Sequence, residues 1–278
     1  MAKSLQFDEI NYWSEVKLDI VRKYAKAYST ILANQPSIKG YLYVDAFAGA
    51  GTHISKATGE DVEGSPVIAL KTEPPFSELH FIDLDGNRVS ELERLAAGDR
   101  RVQVHQGDCN NVLLQKVLPR CRYEDYRRAL CLLDPYKLNI DWAVLQTAGS
   151  MKSVEVFYNF MIMDANRNVF MRDPNKVAPQ NAARMDAVWG DGSWRTAVYR
   201  TTPDLFGDHE EKTTNEEIAE AFRRRLKTVA GFKYVPLPMP MRNSKGAVVY
   251  YLYFASQNET GGKIVSEIFN TYRNKGAS

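Results

Sequence analysis

Cysteine is scarce in this sequence, and the few cysteines that occur lie far apart. Only Cys109, Cys121 and Cys131 are found among 278 residues. An odd number at wide spacing argues against a disulfide framework and against a zinc knuckle. Such usage is typical of a reducing compartment. We therefore expect a cytoplasmic protein with no structural metal site.

Long apolar runs and a strong net charge are also missing. One of the longest apolar runs, residues 248–255, contains three tyrosines and is too short to span a bilayer. The first residues, Met-Ala-Lys-Ser-Leu-Gln, lack the apolar core of a signal peptide. A formal net charge of +2 gives no global field that would favour nucleic acid or a membrane. We expect a single α/β domain spanning 1–278, without membrane association.

The strongest pattern in the chain is an apolar run that enters a glycine-rich turn. Residues 41–53 read Tyr-Leu-Tyr-Val-Asp-Ala-Phe-Ala-Gly-Ala-Gly-Thr-His, which indicates a buried parallel strand and a tight turn. Gly49 and Gly51 carry no Cβ, so the backbone can approach a ligand there. Ile54 replaces the third glycine of the dinucleotide fingerprint. Asp45-x-Phe47-x-Gly49-x-Gly51 instead resembles the first motif of S-adenosylmethionine-dependent methyltransferases; a turn without a ligand is the alternative.

Acidic residues end the next two predicted strands, 79–85 and 102–108. Because the carboxyl ends of parallel strands meet at one edge, these acids are expected beside the glycine turn. A carboxylate accepts two hydrogen bonds from a vicinal diol, so Asp83 is the predicted ribose contact. Asp85 is the alternative and can instead cap the next helix. In methyltransferases an acid at the place of Asp108 meets the adenine amino group, but Asp108 can equally be a helix cap.

The fourth predicted strand, 129–136, ends in Asp134-Pro135-Tyr136. This tripeptide resembles the Asp-Pro-Pro-Tyr motif of methyltransferases that modify exocyclic amines, with one proline missing. The amine hydrogens need acceptors so that the nitrogen lone pair can face the methyl group. The acid and the proline carbonyl can supply them, and the aromatic ring can stack on a base. A strand that simply ends in an Asp-Pro turn is the alternative.

The remaining segments complete a methyltransferase-like arrangement. A fifth strand, 153–161, precedes a polar cluster of Asn159, Asp164, Asn166 and Arg167, which can line a pocket or cap a helix. We further predict an amphipathic helix over 12–33 whose basic residues lie on a solvated face, with an approach of that face to phosphates as the alternative. These basic residues are Lys17, Arg22, Lys23 and Lys26. The other predicted segments are a loop over 55–63, an insertion over 172–213 that covers the cleft, a helix over 214–229, strands over 232–239 and 248–256, and a last helix over 261–272. The predicted fold is Rossmann-like α/β: a mainly parallel sheet with a C-terminal antiparallel hairpin strand, an N-terminal helix and an inserted helical and loop subdomain.

Taken together, these motifs resemble the bacterial three-Cys-motif partner proteins. The resemblance is strongest from Tyr41 to Asn168 and includes Asp-Ala-Phe-Ala-Gly-Ala-Gly, Gly-Ser-Pro, Phe-Ile-Asp-Leu-Asp, Leu-Leu-Asp-Pro-Tyr and Phe-Tyr-Asn-Phe-Met-Ile-Met-Asp-Ala-Asn-Arg-Asn. It implies a Rossmann-type methyltransferase-like protein and a radical-enzyme-like protein partner, without implying a substrate.

The leading hypothesis is a methyltransferase that uses S-adenosylmethionine, with a nucleic acid or nucleotide-like amine as the best substrate guess. A non-catalytic binding partner on the same scaffold is the alternative. The predicted cofactor-binding residues are Asp45, Phe47, Gly49, Gly51, Asp83 and Asp108. The predicted catalytic residues are Asp134, Pro135, Tyr136, Asn159 and Asp164.

Overall fold

A mixed sheet of seven strands forms the centre of the structure, a computed structural model that describes residues 8–204 and 207–275. Residues 1–6, on which the signal-peptide expectation rests in part, lie outside that range. The strands are β1 (Asp8–Ile10), β2 (Gly40–Asp45), β3 (Thr52–Ser55), β4 (Asp61–Glu63), β5 (Glu78–Asp83), β6 (Val102–Gln106), β7 (Arg127–Leu133), β8 (Val154–Phe160), β9 (Tyr199–Asp204), β10 (Gly207–Lys212), β11 (Met239–Arg242) and β12 (Val248–Ala255). The helices are α1 (Tyr12–Ala33), α2 (Ser65–Leu70), α3 (Gly86–Leu95), α4 (Cys109–Val112), α5 (Trp142–Met151), α6 (Ile162–Asn168), α7 (Pro179–Trp189), α8 (Trp194–Val198), α9 (Asn215–Thr228) and α10 (Glu259–Lys275).

The side on which successive parallel strands join the central sheet switches at β2. Strands β5 and β6 lie on one side of β2, and β7 and β8 lie on the other. Its strand order is β11-β12-β8-β7-β2-β5-β6. The strands from β8 to β6 pair in parallel, whereas β12 is antiparallel to both β8 and β11. Open α/β sheets bind ligands beside the carboxyl ends of their strands at such a switch point. The predicted α/β fold, with its mainly parallel sheet and antiparallel C-terminal strand, is confirmed.

Helices cover both faces of this sheet because its strands carry apolar side chains on both sides. On one face α1, α2, α3 and α10 pack against the sheet. On the other face lie α5, α6, α7 and α9, together with a π-helical turn at Leu113–Val117 that continues α4. A capping box formed by Thr214 and Glu217 begins α9. The predicted bounds of α1 are those observed.

Two predicted segments differ from the structure. The strand expected over 232–239 is wrong, because β11 begins only at Met239 and the preceding residues make one isolated bridge, Tyr234 to Ser256. Prolines at 236 and 238 remove the N–H groups that a continuous ladder would need. The polar loop expected over 55–63 contains β4, which pairs with β3, while β1 adds to the other side of β3.

The predicted insertion over 172–213 has more regular structure than expected. It contains a turn at Pro174–Lys176, helices α7 and α8, and the hairpin of β9 and β10. Trp189 and Trp194 of this segment pack into the core and are only 3% and 1% exposed. Within the described part of this insertion, no residue lines the two cavities of the cleft described below. Its role as a cover of the cleft stays a prediction.

Candidate functional site

The glycine turn after β2 is tied to the end of β5 through one carboxylate. Gly49 and Gly51 have φ of +65° and +86°, a region that favours glycine. The Gly49 N–H donates to Asp83 Oδ2 at 3.1 Å, and the Asp85 N–H donates to Asp83 Oδ1 at 2.9 Å. Each Asp83 oxygen has a second lone pair for a further donor, and Arg88 Nη1 lies 3.8 Å from Oδ2. Asp83 therefore fixes two loops and can still accept from a ligand.

Gly64 supports the same turn from the start of α2. Its N–H donates to the Gly51 carbonyl oxygen at 2.8 Å, and a Cβ at position 64 would lie 2.7 Å from that oxygen. We expect Gly64→Ala to lower the free energy of unfolding by about 1–3 kcal/mol, because backbone must move to admit the methyl group. Denaturant unfolding measures this. Gly40→Ala is the matched control, since its Cβ would meet only ordinary contacts from 3.7 Å; equal losses in both variants would contradict the expectation.

Two adjoining cavities follow the carboxyl ends of the parallel strands. The larger has a volume of about 430 Å³ and contains Asp83 and Asp108 in its lining. The smaller, of about 170 Å³, extends from the glycine turn to Asp134. Phe47 and Tyr136 line both. We call this pair of cavities the cleft. It brings together Phe47, Gly49, Asp83, Asp108, Asp134, Pro135 and Tyr136 of the predicted site.

Asp134 is held by two side chains that approach from different elements. Lys17 Nζ of α1 donates to Asp134 Oδ2, and Asn159 Nδ2 of β8 donates to Asp134 Oδ1. Both partners are buried, with Lys17 only 7% exposed. The expectation that the lysines of α1 lie on a solvated face is therefore wrong for Lys17. Helical periodicity could not reveal this, since it does not show that a loop 117 residues later lies against that position.

The smaller cavity also contains a polar group that sequence reasoning missed. The Tyr250 hydroxyl of β12 is buried and has no hydrogen-bond partner among the described residues. An unpartnered buried hydroxyl costs about 1–3 kcal/mol, so a group that binds here would remove that cost. The run 248–255 reads only as an apolar strand, and nothing in it marks Tyr250 as part of a site.

The sequence left open whether Asp85 and Asp108 contact a ligand or cap a helix, and the structure shows that both cap helices. Asp85 accepts from the Asn87 N–H at 2.8 Å and caps α3. Asp108 accepts from the Asn111 N–H at 3.0 Å and caps α4. Both acids also line the larger cavity, so capping does not remove them from a ligand's reach. Tyr136 is 63% exposed at the mouth of the cleft, with the Arg88 guanidinium 5.8 Å from its ring centroid.

Asp164 lies outside the lining of both cavities. Its oxygens accept from the Leu138 N–H at 3.0 Å and from Asn168 Nδ2 at 2.7 Å, and Arg184 lies 3.2 Å away. These contacts hold the loop after β7 against α6. Asn166 likewise bonds to Asn215 at 3.0 Å. A catalytic role for Asp164 stays a prediction, and the contacts observed are with the loop after β7 and with helices α6 and α7.

Asp45, the acid of the glycine motif, is fully buried. It is 0% exposed, and burial raises its pKa to about 7, with the Asp134 charge adding to the shift and the Ser65 hydroxyl and Phe47 N–H opposing it. Oδ1 accepts from the Phe47 N–H at 3.3 Å, while Oδ2 has no hydrogen-bond partner among the described residues. Asp45 therefore holds the start of the turn through its hydrogen bond from Phe47, and its raised pKa lets it take up a proton near neutral pH.

This raised pKa predicts a pH dependence of stability. The folded protein binds the Asp45 proton more tightly than the unfolded chain, so the stabilisation is complete below about pH 4 and is lost as pH rises through about 7. We expect Asp45→Asn to remove a fall of a few kcal/mol in unfolding free energy across that window. Denaturant unfolding at a series of pH values measures it. Asp99→Asn is a control at a half-buried acid whose pKa is lowered by Arg101; an unchanged slope in Asp45→Asn would contradict the assignment.

Comparison with known proteins identifies the fold and no more. No family model and no curated relative matches the chain. It is similar to a Legionella pneumophila protein of the family designated DUF519, at 13% identity and a TM-score of 0.55 over 94% of this chain and 91% of that protein. A methyltransferase candidate from Thermobifida fusca matches at 12% identity and a TM-score of 0.41 over 86% and 80% of the two chains. A SAM-dependent methyltransferase from Leishmania major matches at 11% and 0.37 over 87% and 82%.

These similarities do not test the predicted family, substrate or protein partner. The resemblance to three-Cys-motif partner proteins stays a prediction, since no family model supports it. Among the described residues, no helix is long and apolar enough to cross a bilayer, and no His, Cys, Asp or Glu cluster could hold a metal ion. All three cysteines are buried and free. The chain has a Rossmann-like α/β fold.

Proposed function

We propose that this protein is an S-adenosylmethionine-dependent methyltransferase that acts on an amine of a nucleic acid or nucleotide-like substrate. The observation that carries the proposal is the meeting of the glycine turn, Asp83 and Asp134 around two adjoining cavities at the switch point of the sheet. Ligand sites in open α/β sheets form at this place, and the polar groups here are few and convergent.

The residues of the larger cavity fit an adenosyl group. Asp83 retains lone pairs for the two ribose hydroxyls, and Asp108 and its neighbours would meet the adenine. The turn at Gly49 leaves open space where a Cβ would stand, so the amino-acid part can lie against the backbone. When bound, the cofactor supplies an electrophilic methyl group on sulfur. Phe47, which lines both cavities, would lie between the two binding regions.

The residues of the smaller cavity would orient the amine. Lys17 and Asn159 each donate to one oxygen of Asp134, so a carboxylate is held there with remaining lone pairs directed to a third donor. An amine that gives its hydrogens to Asp134 and to the Pro135 carbonyl keeps its lone pair free for the methyl group. The exposed ring of Tyr136 would stack on the planar base that bears the amine. Catalysis would consist mainly of positioning.

Isothermal titration calorimetry with S-adenosylmethionine and S-adenosylhomocysteine tests the first part of this proposal. We expect saturable binding of both compounds with one site per chain. Transfer of a radiolabelled methyl group to RNA, DNA or free nucleosides tests the second part. Absence of binding heat and of any thermal shift at millimolar ligand would overturn the proposal.

A non-catalytic S-adenosylmethionine- or nucleotide-binding subunit is the second candidate, favoured by the buried Lys17, which already donates to Asp134. Such a subunit would serve a three-Cys-motif protein that resembles radical enzymes. Cofactor binding without methyl transfer, together with a stable complex between the two purified proteins, would select this function. Methyl transfer by the isolated chain would exclude it.

A further inference from the structure

A third cavity lies at the opposite edge of the central sheet from the cleft. Its volume is about 470 Å³, and it borders the first residues of β7 and β8 and the segment that follows β12. These are the amino ends of the parallel strands, whereas the cleft follows their carboxyl ends. Among the residues that the structure describes, none lines both this cavity and the cleft. We call it the amino-edge cavity, and the proposed methyltransferase chemistry makes no use of it.

Three cationic side chains line the amino-edge cavity: Arg128, Lys152 and Lys233. Within residues 8–204 and 207–275, none of the three forms a salt bridge. The Arg128 guanidinium instead lies 4.0 Å from the ring centroid of Tyr123. The exposed acid of the lining, Glu259, is paired with Lys263 at 2.9 Å. Cations without a counter-charge around a concave surface attract an anion.

The inner part of the cavity has the opposite character, because it presents hydrogen-bond acceptors. Glu155 is buried, and its two oxygens accept from the hydroxyl groups of Tyr24 and Ser256, which leaves further lone pairs. Burial raises the Glu155 pKa to about 7. The buried Tyr28 hydroxyl has no hydrogen-bond partner among the described residues. Gly261 packs closely against these two side chains, since a Cβ there would stand 2.5 Å from Tyr24 Oη and 3.0 Å from Glu155 Oε1.

We propose that the amino-edge cavity binds a phosphorylated sugar, either free or as part of a nucleoside monophosphate. The phosphate lies at Arg128, Lys152 and Lys233, and the sugar hydroxyls reach Glu155 and the Tyr28 hydroxyl. Cations at one end and acceptors at the other match a ligand that is anionic at one end and rich in hydroxyl donors at the other. Tyrosine rings on the walls offer apolar faces to the sugar, and the volume suits a small ligand of this size.

Calorimetry on the full chain tests this proposal, with S-adenosylhomocysteine present so that an adenosine ligand is kept out of the cleft. The probes are ribose 5-phosphate, adenosine 5′-monophosphate and inorganic phosphate. We expect ribose 5-phosphate to bind about tenfold or more tightly than phosphate alone, because the sugar adds hydrogen bonds to charged and buried groups. Tighter binding of the nucleotide than of ribose 5-phosphate would identify a nucleoside monophosphate as the ligand. Absence of saturable binding by both at millimolar concentration would overturn the proposal.

Variants then assign any binding to this cavity. Lys152→Asn with Lys233→Gln is expected to weaken ribose 5-phosphate binding about tenfold or more; asparagine suits position 152, where φ is +62°. Lys245→Gln, in the exposed turn between β11 and β12, is the matched control and should bind normally. Unchanged affinity in the double variant would overturn the assignment.

Tyr28→Phe separates a ligand contact from a structural role. It removes only a hydroxyl that has no partner, so the thermal midpoint should stay the same or rise. We expect ribose 5-phosphate affinity to fall about fivefold nonetheless, through loss of one hydrogen bond. Unchanged affinity would remove Tyr28 from the proposed contacts. Binding of a single-stranded oligonucleotide in place of either sugar phosphate would assign the cations to a nucleic-acid surface and overturn the proposal.

Discussion

Asp134→Asn is expected to lower the rate of methyl transfer about 100-fold or more, with little effect on the affinity for S-adenosylhomocysteine. The carboxylate is the anionic acceptor at the end of β7, and it lines the smaller cavity without lining the larger one. An asparagine there keeps one acceptor oxygen, but its amide N–H₂ group replaces the other oxygen and faces a hydrogen-bond donor. The initial rate of radiolabelled methyl incorporation into nucleic acid or nucleosides, beside calorimetry with S-adenosylhomocysteine, measures the two effects separately.

The control for this variant is Asp141→Asn, because Asp141 lies in the same loop, is exposed and lines neither cavity. The substitution at 134 also leaves the buried Lys17 ammonium without its carboxylate, which destabilises the fold. Thermal unfolding of Asp134→Asn, and of the same variant combined with Lys17→Met, shows how much of any rate loss comes from unfolded protein. A fully active and folded Asp134→Asn would contradict the proposed role of the motif.

The sequence was most informative where local patterns and tertiary packing demand the same structure. In four of the five parallel strands an acid or a glycine ends the strand or follows it directly, so the order of these strands along the chain and the edge where their motifs meet were predictable. Helix α1 was predicted with its observed bounds because apolar residues recur at helical spacing over all its length. The segment 232–238 does not form the predicted strand because its prolines lack the N–H donors that pairing requires, although its apolar alternation resembles a strand.

The site was less predictable than the fold because its contacts join distant segments. Glycine, acid and Asp-Pro-Tyr patterns mark the strand ends, and those residues do converge on the cleft. Lys17 and Tyr250 reach the cleft from a helix and a strand whose sequences carry no local sign of a site. Asp164 shows the reverse case, since a polar cluster after β8 suggested a pocket, whereas its carboxylate bonds to the loop after β7 and to Asn168 of its own helix, α6. A lysine at a polar position of a helical repeat is predicted to be exposed, and only the position of the opposing loop shows that it is buried.

Asp83→Asn is expected to weaken the binding of S-adenosylhomocysteine about 100-fold, which corresponds to roughly 2.7 kcal/mol. Both Asp83 oxygens accept backbone N–H groups, from Gly49 and from Asp85. An amide nitrogen in place of one oxygen would face a donor, so one loop would be released. The variant therefore removes an acceptor for the ribose and also loosens the glycine turn, and the two losses act on the same ligand. Calorimetric titration gives the change in dissociation constant.

Asp85→Asn tests whether the ribose contact requires Asp83 itself or is provided equally well by the other acid at the end of β5. Asp85 is exposed and caps α3, and asparagine is an equally good cap, so stability should hardly change. We expect the affinity of Asp85→Asn for S-adenosylhomocysteine to remain within about threefold of the unmodified protein, as for loss of one weak exposed contact. The reverse result, with Asp85→Asn impaired and Asp83→Asn normal, would move the ribose contact to the helix cap. It would leave Asp83 with the structural task of joining the two loops, because its hydrogen bonds to Gly49 and Asp85 need no ligand.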